Sequence, residues 1–313
     1  MYRYLFGPVP SRRLGYSLGV DLVTAKTCSF DCVFCQIGKT DRLTLERREY
    51  VPVAGVVREI SAWLDTGASA DCITLSGSGE PTLHSSFGGV LEAIHGKSPI
   101  KTAILSNGSL FYLPEVRSGA ALADIVKVSL SAWDQTSFER INRPYSSLNF
   151  QSVVEGLQIF GSEFKGELWL EVFVVSGVND DEKSLKLIAA LAGKIGPDRI
   201  QLNTVVRPPV ESSARAVPAQ VLEKFACLFQ PVAEVIVPFS ACEASAINGN
   251  DKDVAGLLAR HPCVLGDVAT LFGNDSKKAE AVLEKMVAQG RIRVEKHGAE
   301  SFYTAVDVAD SYR

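Results

Sequence analysis

The stretch Thr27–Cys35, TCSFDCVFC, brings three cysteines together, with three residues between Cys28 and Cys32 and two between Cys32 and Cys35. A 4Fe–4S cube bound by only three thiolates keeps one iron open to a small molecule that offers a donor atom. A closed structural cluster and a tetrahedral zinc site each need a fourth ligand, yet no histidine or cysteine lies between Cys35 and Cys72. The spacing therefore favours an open-iron 4Fe–4S cluster over a redox pair or a zinc knuckle.

The composition is ordinary for a globular protein with a sizeable core. Of 313 residues, 46% are hydrophobic and 22% are charged, which suits one large domain or a large and a small one. The net charge of −4 gives no overall attraction to nucleic acid or anionic membranes. We expect no membrane association, because no apolar run reaches the length of a span and the first residues lack a signal peptide's apolar core. Seven irregularly spaced cysteines argue against a disulfide scaffold and for a reduced cytoplasm.

Short apolar strands alternate with helices after an opening segment, FGPVPSRRLG (residues 6–15), which its glycines and prolines predict to be irregular. The predicted strands are Ser17–Val23, Cys72–Leu75, Thr102–Leu105, Ile125–Leu130, Leu168–Val175, Ile200–Val205 and Glu234–Val237. The predicted helices are Val53–Leu64, Phe87–His95, Leu113–Ser118, Phe150–Phe160, Asp181–Ala192 and Val221–Leu228. Such alternation is typical of parallel βα units, and about six of them fit an α/β fold, a partial (β/α)6 TIM-type barrel.

A second motif, SGSGEPTL (residues 76–83), directly follows the second predicted strand. Glycines allow close approach to the backbone, although an ordinary turn before a helix is the alternative. With the cysteine loop and with PVPSRRLG, INRP and NTVVRPP elsewhere, this motif resembles the radical S-adenosylmethionine (SAM) superfamily. Over roughly residues 1–240 the chain is similar to a group related to the tRNA wyosine-synthesis enzymes.

The resemblance implies a partial barrel, a 4Fe–4S cluster held by Cys28, Cys32 and Cys35, and SAM chelated to the open iron by its amino and carboxylate groups. One electron from the reduced cluster would cleave the sulfonium, and the resulting 5′-deoxyadenosyl radical would abstract a hydrogen from a substrate. The electron would come from a donor such as flavodoxin or ferredoxin. These motifs do not name the substrate.

By the same resemblance, residues at the carboxyl ends of the predicted strands contact SAM. The family's glycine-rich motif, whose carbonyls meet the methionine ammonium, is usually GGE-P, so GSGEP departs from it at Ser78. Serines and asparagines at later strand ends match contacts to the carboxylate and the ribose, although such residues are common there. The assigned residues are Phe34, Gly77, Ser78, Gly79, Glu80, Ser106, Asn107, Ser129, Ser131 and Asn203.

Four arginines, Arg12, Arg13, Arg143 and Arg207, flank the predicted strand ends and suit an anionic substrate group, because guanidinium forks bind phosphates and carboxylates. For Arg12, Arg13 and Arg207 the alternative is that they pair with acidic residues and pin loops together, and for Arg143 it is that the residue caps a helix. In KVSLSAW, Lys127 alternates with valines and is predicted to face solvent or a neighbouring helix.

The remaining cysteines, Cys72, Cys227, Cys242 and Cys263, have no tight ligand spacing, so we predict no auxiliary cluster. The wyosine enzymes carry additional cysteines for a second cluster, and this chain lacks that set. Cys72 and Cys263 are predicted to be core residues.

Composition changes at SACEASAINGN (residues 240–250), which predicts a barrel over 1–240, a linker over 241–250 and a small domain over 251–313. Helices are predicted at Val254–Ala259, within HPCVLGDVATLF, and at Ser276–Gln289 with Ser276 as N-cap. A ribbon of Ile292–Val294 and Phe302–Thr304 completes a resemblance to a winged helix-turn-helix.

The predicted third helix and wing carry the basic residues Lys277, Lys278, Arg291, Arg293 and Lys296, although Asn250 onward holds nine Lys and Arg against ten Asp and Glu. RNA, DNA or a peptide could dock there, or the domain could simply pack on the barrel. We interpret the chain as a radical SAM enzyme, with a tRNA base as the first substrate hypothesis and a peptide as the second. An iron–sulfur redox sensor that binds DNA is the non-enzyme alternative, which GSGEP disfavours because a sensor needs no nucleoside pocket.

Overall fold

The computed structural model describes residues 2–11, 13–24, 26–236, 250–260, 262–298 and 300–306. Ten strands precede residue 236 within this part: β1 Leu5–Ser11, β2 Gly15–Val20, β3 Thr27–Cys28, β4 Arg42–Leu43, β5 Cys72–Leu75, β6 Lys101–Leu105, β7 Ile125–Ser129, β8 Glu167–Val174, β9 Arg199–Thr204 and β10 Glu234–Val235. An eight-stranded sheet has the order β1-β2-β5-β6-β7-β8-β9-β10. Strands β3 and β4 form a separate pair.

The large sheet runs parallel from β2 to β10, as the alternation of strands and helices predicted. The connecting helices are α1 Val53–Asp65, α2 Phe87–His95, α3 Pro114–Ala120, α4 Gln135–Asn142, α5 Phe150–Glu163, α6 Glu182–Ile195 and α7 Ala219–Ala226. Their apolar faces pack in one core with the strands; in α1, for example, Val56, Ile60 and Trp63 are buried at helical spacing. The mixed α/β fold with a parallel sheet is therefore confirmed.

Helix α4 is an element that apolar periodicity did not predict. Its first turn is closed by a capping box. The Asp134 carboxylate accepts a hydrogen bond from Ser137 N, and the Ser137 hydroxyl oxygen accepts one from Asp134 N. The sequence DQTS carried this signal, because aspartate is a preferred N-cap.

Strand β1 corrects the prediction of an irregular opening segment. It pairs antiparallel with β2, and its register shifts between Phe6 and Val9. Prolines are tolerated here because β1 is an edge strand with a bulge. It pairs with another strand on one side only, so Pro8 and Pro10, which lack a backbone N–H, interrupt little of the hydrogen bonding of the sheet.

The described residues from 250 onward form three helices and a hairpin, here called the C-terminal unit. Its elements are α8 Asp251–Leu258, α9 Leu265–Ala269 with a following 3-10 turn, α10 Ser276–Ala288, β11 Ile292–His297 and β12 Glu300–Ala305. They share a core that includes Val254, Leu283 and Ile292. The N-cap of α10 is Asp275, whose carboxylate accepts from Lys278 N at 3.0 Å, so the predicted cap at Ser276 is wrong by one residue.

The predicted linker lies almost wholly outside the described residues, as does Cys242, and the boundary at 240 stays a prediction. None of the helices in the described part of the chain combines the length and apolar character that crossing a membrane requires.

Candidate functional site

The cysteine loop follows β2 and is supported by two asparagine side chains. Asn107 Nδ2 lies 3.5 Å from Cys28 Sγ and 2.8 Å from Ser29 Oγ. Asn142 Nδ2 lies 3.4 Å from Cys32 Sγ. Amide donors directed at sulfur stabilise thiolate ligands and tune a bound cluster. Asn107 was predicted as a SAM contact; Asn142 was missed, although it stands beside Arg143 in the INRP motif that the sequence analysis singled out.

Burial governs the protonation of these thiols. It raises the pKa of Cys28 to about 12, with a further contribution from the Glu80 carboxylate. It also raises the pKa of Cys32, and the neighbouring cysteines add to that effect. Thiolates at these positions therefore require a positive partner, which iron supplies in a cluster.

The donor set fits a cluster with one open iron. Soft thiolates select iron–sulfur clusters among the possible metal groups, and the three cysteines lie on a single, partly exposed loop. Across the ranges described above, no three His, Cys, Asp or Glu side chains converge to hold a single ion. A 4Fe–4S cube does not need such convergence, because each thiolate binds a different iron.

The glycine-rich segment, residues 77–80, is paired with the start of the cysteine loop. Glu80 N donates to Thr27 O at 3.1 Å, and Lys26 N donates to Ser78 O at 2.9 Å. A Cβ at Gly79 would overlap the Thr27 carbonyl oxygen, so glycine is required for this close approach. The two motifs are therefore adjacent in space as well as matched in sequence.

Ser78, where the motif departs from the family form, is oriented inward. Its Oγ donates to Asp21 Oδ2 at 2.6 Å, and its N lies 3.2 Å from both carboxylate oxygens. Gly77 has φ +137°, and a Cβ there would also meet the Asp21 carboxylate. Asp21 thus holds the segment, and no local sequence pattern identified it.

Glu80 and Ser106 contact each other rather than pointing into open space. The buried Glu80 carboxylate accepts from Ser106 Oγ at 2.7 Å, from Thr82 Oγ1 at 2.6 Å and from Asn107 N at 2.7 Å. Burial raises the pKa of Glu80 in spite of these hydrogen bonds. Their effect is to orient Asn107, whose amide then reaches Cys28.

The remaining predicted SAM contacts lie on β7 and β9 or, for Ser131 and Phe34, in segments that contact Phe173 of β8. Ser129, half-buried, ends β7, and Ser131 Oγ accepts from Phe173 N at 3.0 Å. Phe34 stacks on Phe173 with ring centroids 4.1 Å apart. Asn203 is buried and donates to Glu171 Oε1 at 3.1 Å. These strands run parallel, so the residues are brought to one end of the sheet.

Glu171 is the centre of a buried charge cluster that sequence reasoning missed. Lys127 Nζ lies 2.7 Å from Glu171 Oε2, and Arg13 Nη2 pairs with Oε1. Burial favours the neutral acid, but the charges of Arg13 and Lys127 outweigh it and lower the pKa of Glu171 to about 2. The prediction that Lys127 faces solvent or a helix is wrong: it is 6% exposed. It lies on the face of β7 opposite the valines that pack into the main core.

We expect Glu171→Gln to lower the free energy of unfolding by about 3–5 kcal/mol, because it removes the buried carboxylate that pairs with both Lys127 and Arg13. The folded pKa lies below the unfolded value, so the carboxylate's contribution is complete above about 4.5 and is lost as the pH falls toward about 2. The variant should lack this part of the pH dependence.

Urea unfolding of the cluster-free full chain at several pH values between about 6 and 3 tests this expectation. Glu182→Gln, which removes one partner of the exposed Glu182–Lys186 pair, is the control and should change little. Equal effects of the two substitutions would contradict it.

The other predicted substrate arginines have acidic partners. Arg143 Nη1 lies 2.6 Å from Glu211 Oε1, and Arg207 Nη2 lies 3.2 Å from Asp267 Oδ2 in the C-terminal unit. Arg12 lies outside the described residues. The loop-pinning alternative therefore has direct support at Arg13 and Arg207, and Arg143 is the C-cap of α4, which agrees with the helix-cap alternative.

Comparison with known proteins gives a consistent result. The family model described as the radical SAM superfamily matches residues 22–188. A UPF0026 protein of Helicobacter pylori is 34% identical over 309 residues, which cover 96% of this chain and 97% of that protein. A protein named GTPase Obg, of Brachyspira hyodysenteriae, is 35% identical over 296 residues. That match covers 93% of this chain, which spans only 43% of that relative.

Among solved structures, TYW1 with a lysine-pyruvate adduct bound is similar with a TM-score of 0.54 and 20% sequence identity. The match covers 74% of this chain and 78% of that chain. The likeness is one of fold, and it agrees with a partial barrel built on the parallel sheet.

Proposed function

The chain belongs to the radical SAM superfamily, whose enzymes use a 4Fe–4S cluster and SAM, and from this we propose that it cleaves SAM reductively to start radical chemistry on a substrate. The observation that carries the proposal is the backbone pairing between residues 26–27 of the cysteine loop and residues 78–80 of the glycine-rich segment. It would place a cluster and the methionine end of SAM side by side.

In this proposal Cys28, Cys32 and Cys35 hold the cluster, and Asn107 and Asn142 donate to the first two sulfurs. When bound and reduced, the cluster would supply the electron for breaking the bond between the SAM sulfur and its 5′ carbon, and the products would be methionine and a 5′-deoxyadenosyl radical able to take a substrate hydrogen. The chain's own part is to position both groups and to exclude water and oxygen.

The remaining contacts to SAM are assigned by position. The carbonyls of residues 77–80 would meet the methionine ammonium, and Ser129 and Asn203 would reach the ribose or the carboxylate. Phe34, held against Phe173, would support the loop beside the adenosyl group. An electron donor of the flavodoxin or ferredoxin class is required, and the cytoplasm is the reducing compartment that suits this chemistry.

Formation of 5′-deoxyadenosine distinguishes this enzyme from the redox-sensor alternative. A sensor that binds DNA needs an electron-accepting cluster but no nucleoside pocket, so its cluster-loaded form should leave SAM intact under reducing conditions. The enzyme should cleave SAM slowly even when the substrate is missing.

We further propose that the C-terminal unit is a winged helix-turn-helix that docks a macromolecular substrate, with a tRNA base as the first choice. The resemblance to the tRNA wyosine-synthesis enzymes motivates that choice. The exposed basic side chains on α10, on the hairpin and directly before it support this choice; they are Lys277, Lys278, Arg291, Arg293 and Lys296. The peptide alternative is favoured instead by Val294, an apolar side chain that is 47% exposed on the hairpin.

If these cations bind phosphates, the logarithm of the binding constant of the full chain for bulk tRNA should fall linearly with the logarithm of the salt concentration. Each of Arg291→Gln, Arg293→Gln and Lys296→Gln should reduce the slope by about one, because each removes one phosphate contact. Lys186→Gln, at an exposed lysine on α6, is the matched control and should leave the slope unchanged.

Binding can be followed by fluorescence anisotropy at several salt concentrations. If none of the three substitutions changes the salt slope, or if the wild type does not bind tRNA at low salt, docking through this surface is refuted. The peptide alternative would then be favoured.

A further inference from the structure

A buried ion pair joins the C-terminal unit to the first half of the chain. Arg260, which follows α8, lies with Nε 3.3 Å from Asp21 Oδ2, and the two side chains are only 5% and 1% exposed. The guanidinium also donates to Gly256 O at 2.8 Å and to Arg3 O at 3.2 Å. It lies 4.8 Å from the centroid of the Phe6 ring. Each side of the fork is therefore held in a fixed position.

The Asp21 end of this pair reaches the glycine-rich segment. The same carboxylate that receives Arg260 also accepts from the backbone and the hydroxyl of Ser78, and it closes against Gly77, where a Cβ would overlap it. The Asp21 carboxylate thus lies between the C-terminal unit and the glycine-rich segment, which is assigned to the methionine ammonium, and contacts both. Arg260 and Ser78 therefore contact the same carboxylate.

A second contact joins the same unit to the cysteine loop. Arg207 Nη2 lies 3.2 Å from Asp267 in the unit, and its Nη1 lies 3.5 Å from Gln36 Oε1. Gln36 directly follows Cys35. Apolar packing accompanies the polar contacts, since Val9 of β1 packs against the core of the unit. The C-terminal unit is therefore linked to the neighbourhood of both motifs, through Asp21 to the glycine-rich segment and through Arg207 to Gln36 beside the cysteine loop.

We propose that Arg260 is a positioning residue for SAM, acting through Asp21, so that the C-terminal unit completes the SAM site. The inference rests on the proposed function. A buried ion pair is weak evidence for stability, because apolar residues of similar volume often stabilise as well. A guanidinium fork that fixes a carboxylate, which in turn fixes a backbone segment, serves orientation instead. On this account the unit shapes the cofactor site in addition to any docking role.

The test compares cluster-loaded, full-length proteins. Arg260→Gln alone leaves the Asp21 charge buried, and such a variant can fail to fold. It is therefore combined with Asp21→Asn in a double variant, in which both side chains are neutral and can still form hydrogen bonds. Arg260→Lys keeps the charge but loses the fork. Lys285→Met, which removes an exposed ion pair with Asp251 inside the same unit, is the matched control.

The readouts are iron per chain, the melting temperature, the affinity for SAM by calorimetry, and the change in the electron paramagnetic resonance spectrum of the reduced cluster when SAM is added. We expect the double variant to keep its iron and to bind SAM about tenfold more weakly, with a smaller spectral change. Arg260→Lys should be intermediate, and the control should match the wild type.

Unchanged SAM affinity in the double variant would overturn the inference and leave the proposed function intact. Loss of iron together with affinity would also overturn it, because the pair would then support the fold in general rather than the SAM site. A wild-type protein that carries its cluster and does not bind SAM would overturn the proposed function itself, and this inference with it.

Discussion

Cys28→Ala, Cys32→Ala and Cys35→Ala should each reduce the iron and sulfide content of anaerobically reconstituted protein from about four per chain to nearly zero. Each variant removes one of the thiolates that the proposed cluster requires. The Asn107 and Asn142 amide groups beside the sulfurs of Cys28 and Cys32 are hydrogen-bond donors and cannot take the place of a thiolate. Iron and sulfide analysis with the visible absorption spectrum measures the effect.

Cys227→Ala is the matched control, because Cys227 is exposed at the end of α7 and has no part in the site. It should retain the full cluster, and Cys242→Ala should do so as well. Loss of about half the iron in either control would reveal a second cluster and contradict the single-cluster account.

Gly79→Ala should reduce SAM cleavage by about 100-fold, because displacing a reacting group by about 1 Å has an effect of that size. A Cβ at this position would overlap the Thr27 carbonyl oxygen, so the segment would have to separate from the cysteine loop. The backbone hydrogen bond from Glu80 to Thr27 would be lost with it. The rate of 5′-deoxyadenosine formation and the affinity for SAM measure the effect.

Gly89→Ala provides the comparison for Gly79→Ala. Gly89 lies in α2, where an added Cβ meets nothing within 4 Å, and alanine favours helix more than glycine does. This variant should keep its activity. Equal activity in the two variants would show that the close pairing of the two motifs is unimportant.

Much of the fold could be predicted from the sequence, because parallel βα units produce a regular alternation of short apolar strands and amphipathic helices. Strand Cys72–Leu75 and helix Phe87–His95 have the predicted bounds, since turn-forming sequences, SGSG and GKSP, directly follow them. Strand β1 was missed, because glycine and proline normally mark loops and only an edge position makes them acceptable in a strand.

Side-chain orientation was harder to predict than secondary structure. Lys127 was predicted to face solvent or a neighbouring helix because it alternates with Val126 and Val128, but both faces of a parallel sheet are covered. Glu171, the partner that makes its burial possible, lies 44 positions away in the chain. Arg13, which pairs with the same carboxylate, lies 158 positions from Glu171. A sequence pattern read in short windows cannot pair residues at such separations.

In the candidate site, too, local motifs could be predicted from the sequence and contacts between distant residues could not. The cysteine spacing and the glycine-rich motif are local, so the sequence indicated them directly. Asp21 and Arg260 are 239 positions apart, and neither stands in a recognisable motif, so only the folded chain brings them together. Asn142 could have been found, because it directly precedes the arginine that was chosen from the INRP motif.

The measurement that tests the central claim most directly is the product of SAM under reducing conditions. Anaerobically reconstituted full-length protein is incubated with SAM and dithionite, and 5′-deoxyadenosine and methionine are quantified by mass spectrometry. Cys32→Ala, carried through the same reconstitution, corrects for cleavage that does not depend on the cluster. The account predicts both products in equal amounts from the wild type and neither above background from the variant. A wild-type protein with a full cluster that leaves SAM intact would contradict it.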